Sequence, residues 1–266
     1  MLRLSEREME LMNRFVVPDR ALSDILELEE VRMNESILPA GVADVAQYLS
    51  TRPELQRYYL SGGTAYALQR GHRKSKDLDF FTQQARSTLP AIPALSELRS
   101  HFSQVEILQR APEQIHLILD GTFVTFLAYP FLHHYPFFYW RNLAIADPCD
   151  IVVQKAYTIG RRAKGRDYID VHNALTTGVL DLDTVMNTAK RIYGEQFSPR
   201  LFLQQLTYTQ DVEDFEEALQ TITTPLTKEE ITRDLHHLVR TYVSKVLASK
   251  PSPTPPAPKS PRGPRL

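Results

Sequence analysis

The sequence predicts an α+β fold: a mixed sheet, then a mainly helical C-terminal domain, then a proline-rich tail. Short β-forming segments lie between residues 58 and 127, and Asp120-Gly121 between the last two is a strong hairpin signal. Antiparallel pairing of this kind, mixed with helix-like segments, is typical of an α+β domain. A doubly wound parallel sheet would instead require a helix between each pair of strands. Beyond Asp147-Pro148, apolar residues recur at helical spacing almost to the tail.

The chain is predicted to divide into four parts. Residues 1–50 are N-terminal helices, with Pro18 separating two of them, and 51–145 form the sheet-containing core. Residues 146–249 form a helical domain that opens with Asp147 as N-cap and Pro148 at the first helical position. The tail, 250–266, is rich in proline and lacks acidic residues, so we expect it to be disordered.

Composition limits the function classes. With 266 residues, of which 42% are hydrophobic, the chain can bury a large core. The net charge of −1 argues against bulk attraction to nucleic acid, although a local basic patch stays possible. The N-terminus has no signal-peptide core, and no apolar run approaches the length of a membrane span. We therefore expect a soluble cytoplasmic protein.

The stretch Tyr58–Thr82, YYLSGGTAYALQRGHRKSKDLDFFT, organises the chain. It predicts a strand, the glycine turn Gly62-Gly63-Thr64, a short helix that ends at Gly71, a basic loop, and a second strand. A glycine turn before a helix presents free backbone N–H groups to an anion, and the helix dipole favours negative charge there.

Two aspartates on the second strand predict a metal site. Asp77 and Asp79 are two residues apart, so on a strand both point to one face while Leu78 and Phe80 point to the other. Carboxylate oxygens are the ligands that Mg²⁺ prefers, and a phosphate-binding turn nearby suggests a Mg²⁺–nucleotide site. The alternative is a solvated strand end with two surface acids.

A second group of charged residues lies about eighty positions downstream. Lys155 and Arg162 are seven apart in one predicted helix, 149–162, and could share a face that reaches a triphosphate. A basic surface stripe explains this spacing equally well. Asp167 and Asp170 on the next helix could pair with the arginines, bind metal or orient the lysine, and a helix N-terminal preference already explains Asp167.

Two segments resemble one known family. LSGGTAYALQRGHRKSKDLDFF (60–81) is similar to the signature of the AbiEii/AbiGii-type nucleotidyltransferase toxins, members of the DNA polymerase β-like superfamily. QKAYTIGRRAKGRDYIDVHNAL (154–175) resembles their lysine helix and the acidic segment that follows, and a weaker resemblance extends to about residue 220.

The resemblance implies a polymerase β-like nucleotidyltransferase domain that uses Mg²⁺ and a nucleoside triphosphate. By this resemblance, Asp77 and Asp79 would bind the metal. The turn 62–64, Ser75 and Arg162 would bind the nucleotide. The family's lysine and later acidic motifs fall on Lys155 and on Asp167 or Asp170, which we include among the catalytic candidates. It also implies a toxin with an antitoxin partner, in some members one that transfers nucleotides to the tRNA acceptor end.

One departure from the family pattern leaves alternatives open. Many polymerase β-like enzymes carry a third metal-binding carboxylate on a later strand, but residues 123–127 contain no acid. Either a helix aspartate substitutes, or two carboxylates alone bind metal. The rival hypotheses are a nucleotide-binding or partner-binding module without catalysis, and a nucleotidyltransferase that acts on protein or a small molecule.

Overall fold

The computed structural model describes residues 33–83, 88–159 and 161–248. The N-terminal helices predicted before residue 33 and the tail predicted from residue 250 lie outside the described residues. Among the described helices, none combines the length and the hydrophobicity that a membrane-spanning helix needs.

A seven-stranded mixed sheet carries the fold. Its strands are β1 (Tyr59–Ser61), β2 (Asp77–Thr82), β3 (Val105–Ala111), β4 (Gln114–Leu119), β5 (Thr122–Ala128), β6 (Phe138–Trp140) and β7 (Leu143–Ile145), in the order β3-β4-β5-β2-β1-β7-β6. β2 runs parallel to β5, and β1 runs parallel to β7, while the other neighbours are antiparallel. The predicted α+β class with a mixed sheet is confirmed.

Along the chain, helices occur before the first strand, between strands and after the last strand. Within the described residues they are α1 (Ala40–Ser50), α2 (Gly62–Arg70), α3 (Leu95–His101), α4 (Pro148–Ile159), α5 (Gly165–Thr176), α6 (Leu182–Tyr193), α7 (Pro199–Thr207), α8 (Phe215–Leu219) and α9 (Lys228–Ala248). The same described ranges contain three short 3₁₀ turns, Glu35–Ile37, Pro53–Arg57 and Gly194–Gln196. The C-terminal region is therefore helical, as predicted.

The central unit β1–α2–β2 follows the sequence pattern closely. α2 ends at Gly71, whose φ of 65° lies in the left-handed region, and the N–H of Gly71 bonds the carbonyl of Ala67. Along β2 burial alternates, with Leu78 and Phe80 fully buried, so the two aspartates share the opposite face as expected.

The structure departs from the sequence predictions in two places. The hairpin β6–β7 was not predicted: its strands have only three residues each, and its turn uses Arg141 and Asn142 at φ 49° and 65° rather than glycine. In addition, α4 ends at Ile159, so Arg162 lies after this helix and not on it with Lys155.

The helical region packs directly on the sheet. α2 contacts both β1 and β2 on one side and α4 and α5 on the other. Residues of the sheet and the C-terminal helices belong to one buried cluster. The predicted boundary near residue 145 stays a prediction, and the site described below draws on both sides of it.

Candidate active site

A cleft of about 460 Å³ opens between the sheet and the helical region. One wall comes from β2, β5 and the start of α2, and the other from α4, the loop after it and the start of α5. The predicted site residues that line it are Gly62, Gly63, Thr64, Ser75, Asp77, Asp79, Lys155, Arg162 and Asp167. Asp170 is fully buried and does not line the cleft.

The β2 carboxylates face this cleft in different electrostatic surroundings. Asp77 Oδ2 accepts a hydrogen bond from Arg166 Nη1 at 2.9 Å, and both side chains are partly exposed. Asp79 forms no such ion pair with any described residue. Burial, followed by the neighbouring charge of Asp77, raises the pKa of Asp79, and a hydrogen bond from Thr125 only partly offsets this. The pair therefore holds negative charge that a cation would stabilise.

The two glycines allow side chains to lie directly on the backbone. Gly62 has φ 68°, and a Cβ there would stand 2.6 Å from Asp79 Oδ2. A Cβ on Gly63 would stand 2.2 Å from Arg73 Nη2. Ser61, which precedes α2, makes no side-chain cap, because its hydroxyl donates to Gln154 Oε1 at 2.7 Å. The Ser61 side chain therefore leaves the first N–H groups of α2 uncapped. A phosphate-binding turn requires such uncapped N–H groups.

Thr64 and Ser75 join the glycine turn to the basic loop. Their hydroxyl oxygens lie 2.7 Å apart in a buried contact, and Thr64 also contacts the carbonyl of Asp77. This places Ser75 beside the first metal-ligand candidate. Its predicted role in nucleotide binding stays a prediction.

Behind the cleft, Asp170 is the centre of a buried ionic cluster. Arg73, 1% exposed, binds it through two nitrogens, Nε to Oδ1 at 2.6 Å and Nη2 to Oδ2 at 3.0 Å. His72 Nε2 lies 2.6 Å from Oδ1, and Lys155 Nζ 2.7 Å from Oδ2. Burial alone would raise the pKa of Asp170, but Arg73 and Lys155 outweigh it and hold the pKa well below its usual value.

Lys155 and Arg162 converge through Asp167. Lys155 Nζ donates to Asp167 Oδ1 at 2.8 Å, and Arg162 Nε donates to Oδ2 at 3.0 Å. Burial lowers the pKa of Lys155, yet the Asp167 and Asp170 carboxylates more than compensate, and the pKa lies above its ordinary value. The expected shared helix face is wrong, but the loop after α4 brings Arg162 into the same cleft.

The place expected for a third carboxylate is taken by a threonine. In the parallel pairing of β2 with β5, Thr125 is the partner of Asp79. On the next strand His116 is the partner of Thr125, and His116 Nδ1 lies 3.1 Å from the Thr125 hydroxyl. No group of three or more metal-ligating side chains occurs in the described part of the chain. Asp77 and Asp79 are thus two carboxylates on the cleft face of β2 that could hold a divalent cation.

Sequence reasoning missed four residues of this arrangement. Arg73 lies in the loop that the sequence identifies only as basic, and Arg166 was not singled out. Thr125 and His116 were not considered, since a hydroxyl and an imidazole on separate strands form no local motif. The alternation of His116 with buried Ile115 and Leu117 was the one available signal for the face that His116 shares with the cleft.

Comparison with known proteins gives the family. Residues 44–140 match the model described as "Nucleotidyl transferase AbiEii toxin, Type IV TA system". An uncharacterized protein of Aquifex aeolicus strain VF5 is 29% identical over 164 residues, which cover 59% of this chain and 76% of that protein.

Solved structures show a more distant likeness. JHP933 from Helicobacter pylori is 16% identical and has a TM-score of 0.49, over 77% of this chain and 90% of that one. MenT4, a nucleotidyltransferase toxin from Mycobacterium tuberculosis H37Rv, is 16% identical and has a TM-score of 0.47, over 76% and 84%. Residues 44–140 match the model of the AbiEii nucleotidyltransferase toxins of type IV toxin–antitoxin systems, and this match identifies a nucleotidyltransferase domain.

Proposed function

We propose that this protein is a Mg²⁺-dependent toxin that transfers a nucleoside monophosphate from a nucleoside triphosphate to the acceptor end of tRNA in the cytoplasm. The observation that carries the proposal is the single cleft shared by the two β2 carboxylates and the cations of 155–166. These groups are about eighty residues apart in sequence, and a site for a metal-bound triphosphate needs both.

The metal would be held by Asp77 and Asp79. The raised pKa of Asp79, caused by burial and then by Asp77, supports this because the ionised carboxylate has no ion pair among the described residues, and the charges of Arg162 and Lys155 offset only part of the shift. When bound, Mg²⁺ neutralises phosphate charge and favours ionisation of the acceptor hydroxyl.

The other cleft residues would bind and orient the triphosphate. The N–H groups at the start of α2 would face the phosphates, and Gly62 lets the Asp79 carboxylate lie directly against this turn. Arg162 pairs with Asp167, yet its side chain is 57% exposed, so its guanidinium can also neutralise triphosphate charge.

Lys155 has a different proposed role. Its ammonium group is already bound by two carboxylates, at 2.8 Å and 2.7 Å. We infer that it positions Asp167, and with it Arg162, instead of contacting phosphate. Asp170, which lies behind the cleft, would act in the same indirect way by fixing Lys155 and Arg73.

In the reaction, the acceptor oxygen attacks the α-phosphorus, and the bond from that phosphorus to the bridging oxygen breaks, releasing pyrophosphate. The protein's contribution is to align the acceptor with the triphosphate and to neutralise charge. An antitoxin partner, as the family implies, would restrain this activity in the cell.

The direct test is label transfer. Purified protein is incubated with tRNA, Mg²⁺ and each α-labelled nucleoside triphosphate in turn, and RNA is separated from free nucleotide. We expect label on tRNA from the wild type and none from Asp77→Ala/Asp79→Ala. The matched control, Asp44→Ala/Asp211→Ala, removes two exposed acids outside the cleft and should keep full transfer. Transfer that survives loss of Asp77 and Asp79 would rule out the site.

Two further measurements separate the alternatives. Induction in cells should arrest growth, and the Asp77/Asp79 variant should not, whereas equal arrest by both would point to a non-catalytic module. Label that appears on protein or a small molecule instead of tRNA would keep the enzyme class and refute the acceptor.

A further inference from the structure

Transfer to a hydroxyl releases a proton, and a positioned side chain that accepts it typically accelerates such a step about 10²–10⁴-fold. Most titratable groups of the cleft are already engaged. The engaged groups and their partners are Asp77 with Arg166, Asp167 with Lys155 and Arg162, Tyr129 with Tyr193, and Tyr157 with Gln196. Asp79 is assigned to the metal in the proposed function.

His116 is different from these groups. It lines the cleft from β4, and its ring contacts are Thr125 through Nδ1 and the ring of Phe123, with centroids 5.7 Å apart. Its Nε2 atom has no hydrogen-bond partner among the described residues, and it is not one of the buried unsatisfied atoms either. This nitrogen is therefore available to a ligand in the cleft.

Pairing across three strands places His116 in line with the metal-ligand candidate. Asp79 on β2 is the register partner of Thr125 on β5, and Thr125 is the register partner of His116 on β4. Neighbouring strands are about 4.8 Å apart, so His116 stands about 10 Å from Asp79 along the sheet. An acceptor oxygen bound between them would face both.

The contact between His116 and Thr125 bears on the tautomer of the imidazole. When the Thr125 hydroxyl donates to the Asp79 carboxylate, it has no proton left for His116. His116 Nδ1 must then be the donor to the Thr125 oxygen, at 3.1 Å. A neutral imidazole with its proton on Nδ1 keeps a lone pair on Nε2. The free nitrogen is thus a proton acceptor.

We propose that His116 is a catalytic residue, the general base that takes the proton from the acceptor hydroxyl. The inference rests on the proposed function. The acceptor O–H bond breaks and its proton passes to Nε2, while the oxygen forms the bond to the α-phosphorus and pyrophosphate leaves with the electrons of the broken P–O bond. His116, now an imidazolium, returns the proton to water. Thr125 is the positioning residue that holds the tautomer.

The test combines two variants of His116 with chemical rescue. His116→Ala leaves room for a free imidazole, and His116→Asn keeps an N–H donor for Thr125 but no base. We expect kcat for label transfer to fall about 10²–10⁴-fold in both, with KM for the triphosphate unchanged. Added imidazole should restore His116→Ala by tenfold or more and leave His116→Asn unchanged. The control His237→Ala alters an exposed histidine on α9 and should match the wild type.

Each of the remaining possible results would refute one specific claim. If wild type transfers label and either His116 variant keeps kcat within about threefold, His116 is not the base. If both variants lose activity and imidazole restores neither, the role of His116 is structural and the inference is again wrong. A wild type that transfers no label refutes the proposed function itself.

Discussion

Replacing Gly63 by alanine tests whether the buried ionic cluster supports the cleft. The added Cβ would lie 2.2 Å from Arg73 Nη2 and 3.4 Å from its Cζ, far inside the usual contact of about 3.5–4.0 Å. Arg73 is 1% exposed, and two of its nitrogens bind Asp170. The guanidinium therefore cannot move without weakening its pairing with a fully buried carboxylate.

The expected cost follows from that pairing. Separating the partners of a buried ion pair typically costs about 3–5 kcal/mol, because the remaining charge stays desolvated. Lys155 and His72 keep some contact with Asp170, so we expect the lower half of this range. For a chain of this size each kcal/mol lowers the unfolding midpoint by about 2–4 °C. Gly63→Ala should thus unfold about 6–16 °C below the wild type.

The assay is thermal and urea unfolding followed by circular dichroism, with Gly41→Ala as the matched control. A Cβ at Gly41 meets nothing within 4 Å, and alanine favours a helix over glycine by about 1 kcal/mol, so the control should be unchanged or slightly more stable. If Gly63→Ala unfolds within about 2 °C of Gly41→Ala, the cluster tolerates displacement of Arg73 and the reasoning fails.

Other substitutions probe the charges one at a time. The pKa of Asp79 is raised in the folded state, so its ionised form disfavours folding at neutral pH. Asp79→Asn should therefore raise the unfolding midpoint of the metal-free protein while it abolishes transfer. A lowered midpoint would contradict this reasoning. The pKa of Asp170 is depressed, so its contribution to stability is complete above the unfolded pKa, about 3.9, and is lost as pH falls through the depressed folded pKa. The unfolding free energies of wild type and Asp170→Asn should therefore differ fully at pH 7, and the difference should shrink as pH falls below about 3.9. Lys155→Met leaves two buried acids with less compensation and should cost about 3–5 kcal/mol in urea unfolding, where a loss below 1 kcal/mol would argue against the cluster. Arg166→Ala breaks a partly exposed pair and should change stability by less than about 1 kcal/mol, and a larger loss would show that Asp77 depends on it.

Local patterns predicted the first half of the site. The alternation in Asp77–Phe81 and the glycine stop at Gly71 are set by backbone geometry within a few residues, so the sequence is sufficient for them. The same holds for the Asp120-Gly121 hairpin, whose two residues adopt φ 43° and 81°.

The second half depends on contacts between distant residues. Arg73 and Asp170 are 97 positions apart, and nothing in the basic loop distinguishes the arginine that is buried from Lys74 and Lys76 beside it. Arg162 reaches the cleft because α4 ends three residues earlier, which helical spacing alone does not reveal. Asp79, Thr125 and His116 lie in one cross-strand row because of the order of the strands in the sheet. The sequence alone determines this strand order only weakly.

The contrast between Asp79 and Asp170 gives a physical basis for dividing the predicted acids by role. Asp170 is fully buried and Asp79 is half-buried, but Asp170 is bound by Arg73, His72 and Lys155, and its pKa is depressed. A carboxylate so fully compensated has little to gain from a metal ion. Asp79 has no ion pair among the described residues and its pKa is raised, so folding retains an unfavourable charge in the cleft. Proteins tolerate such a cost mainly where a ligand relieves it. We therefore expect Mg²⁺ to raise the unfolding midpoint of the wild type and of Asp170→Asn, but not of Asp79→Asn.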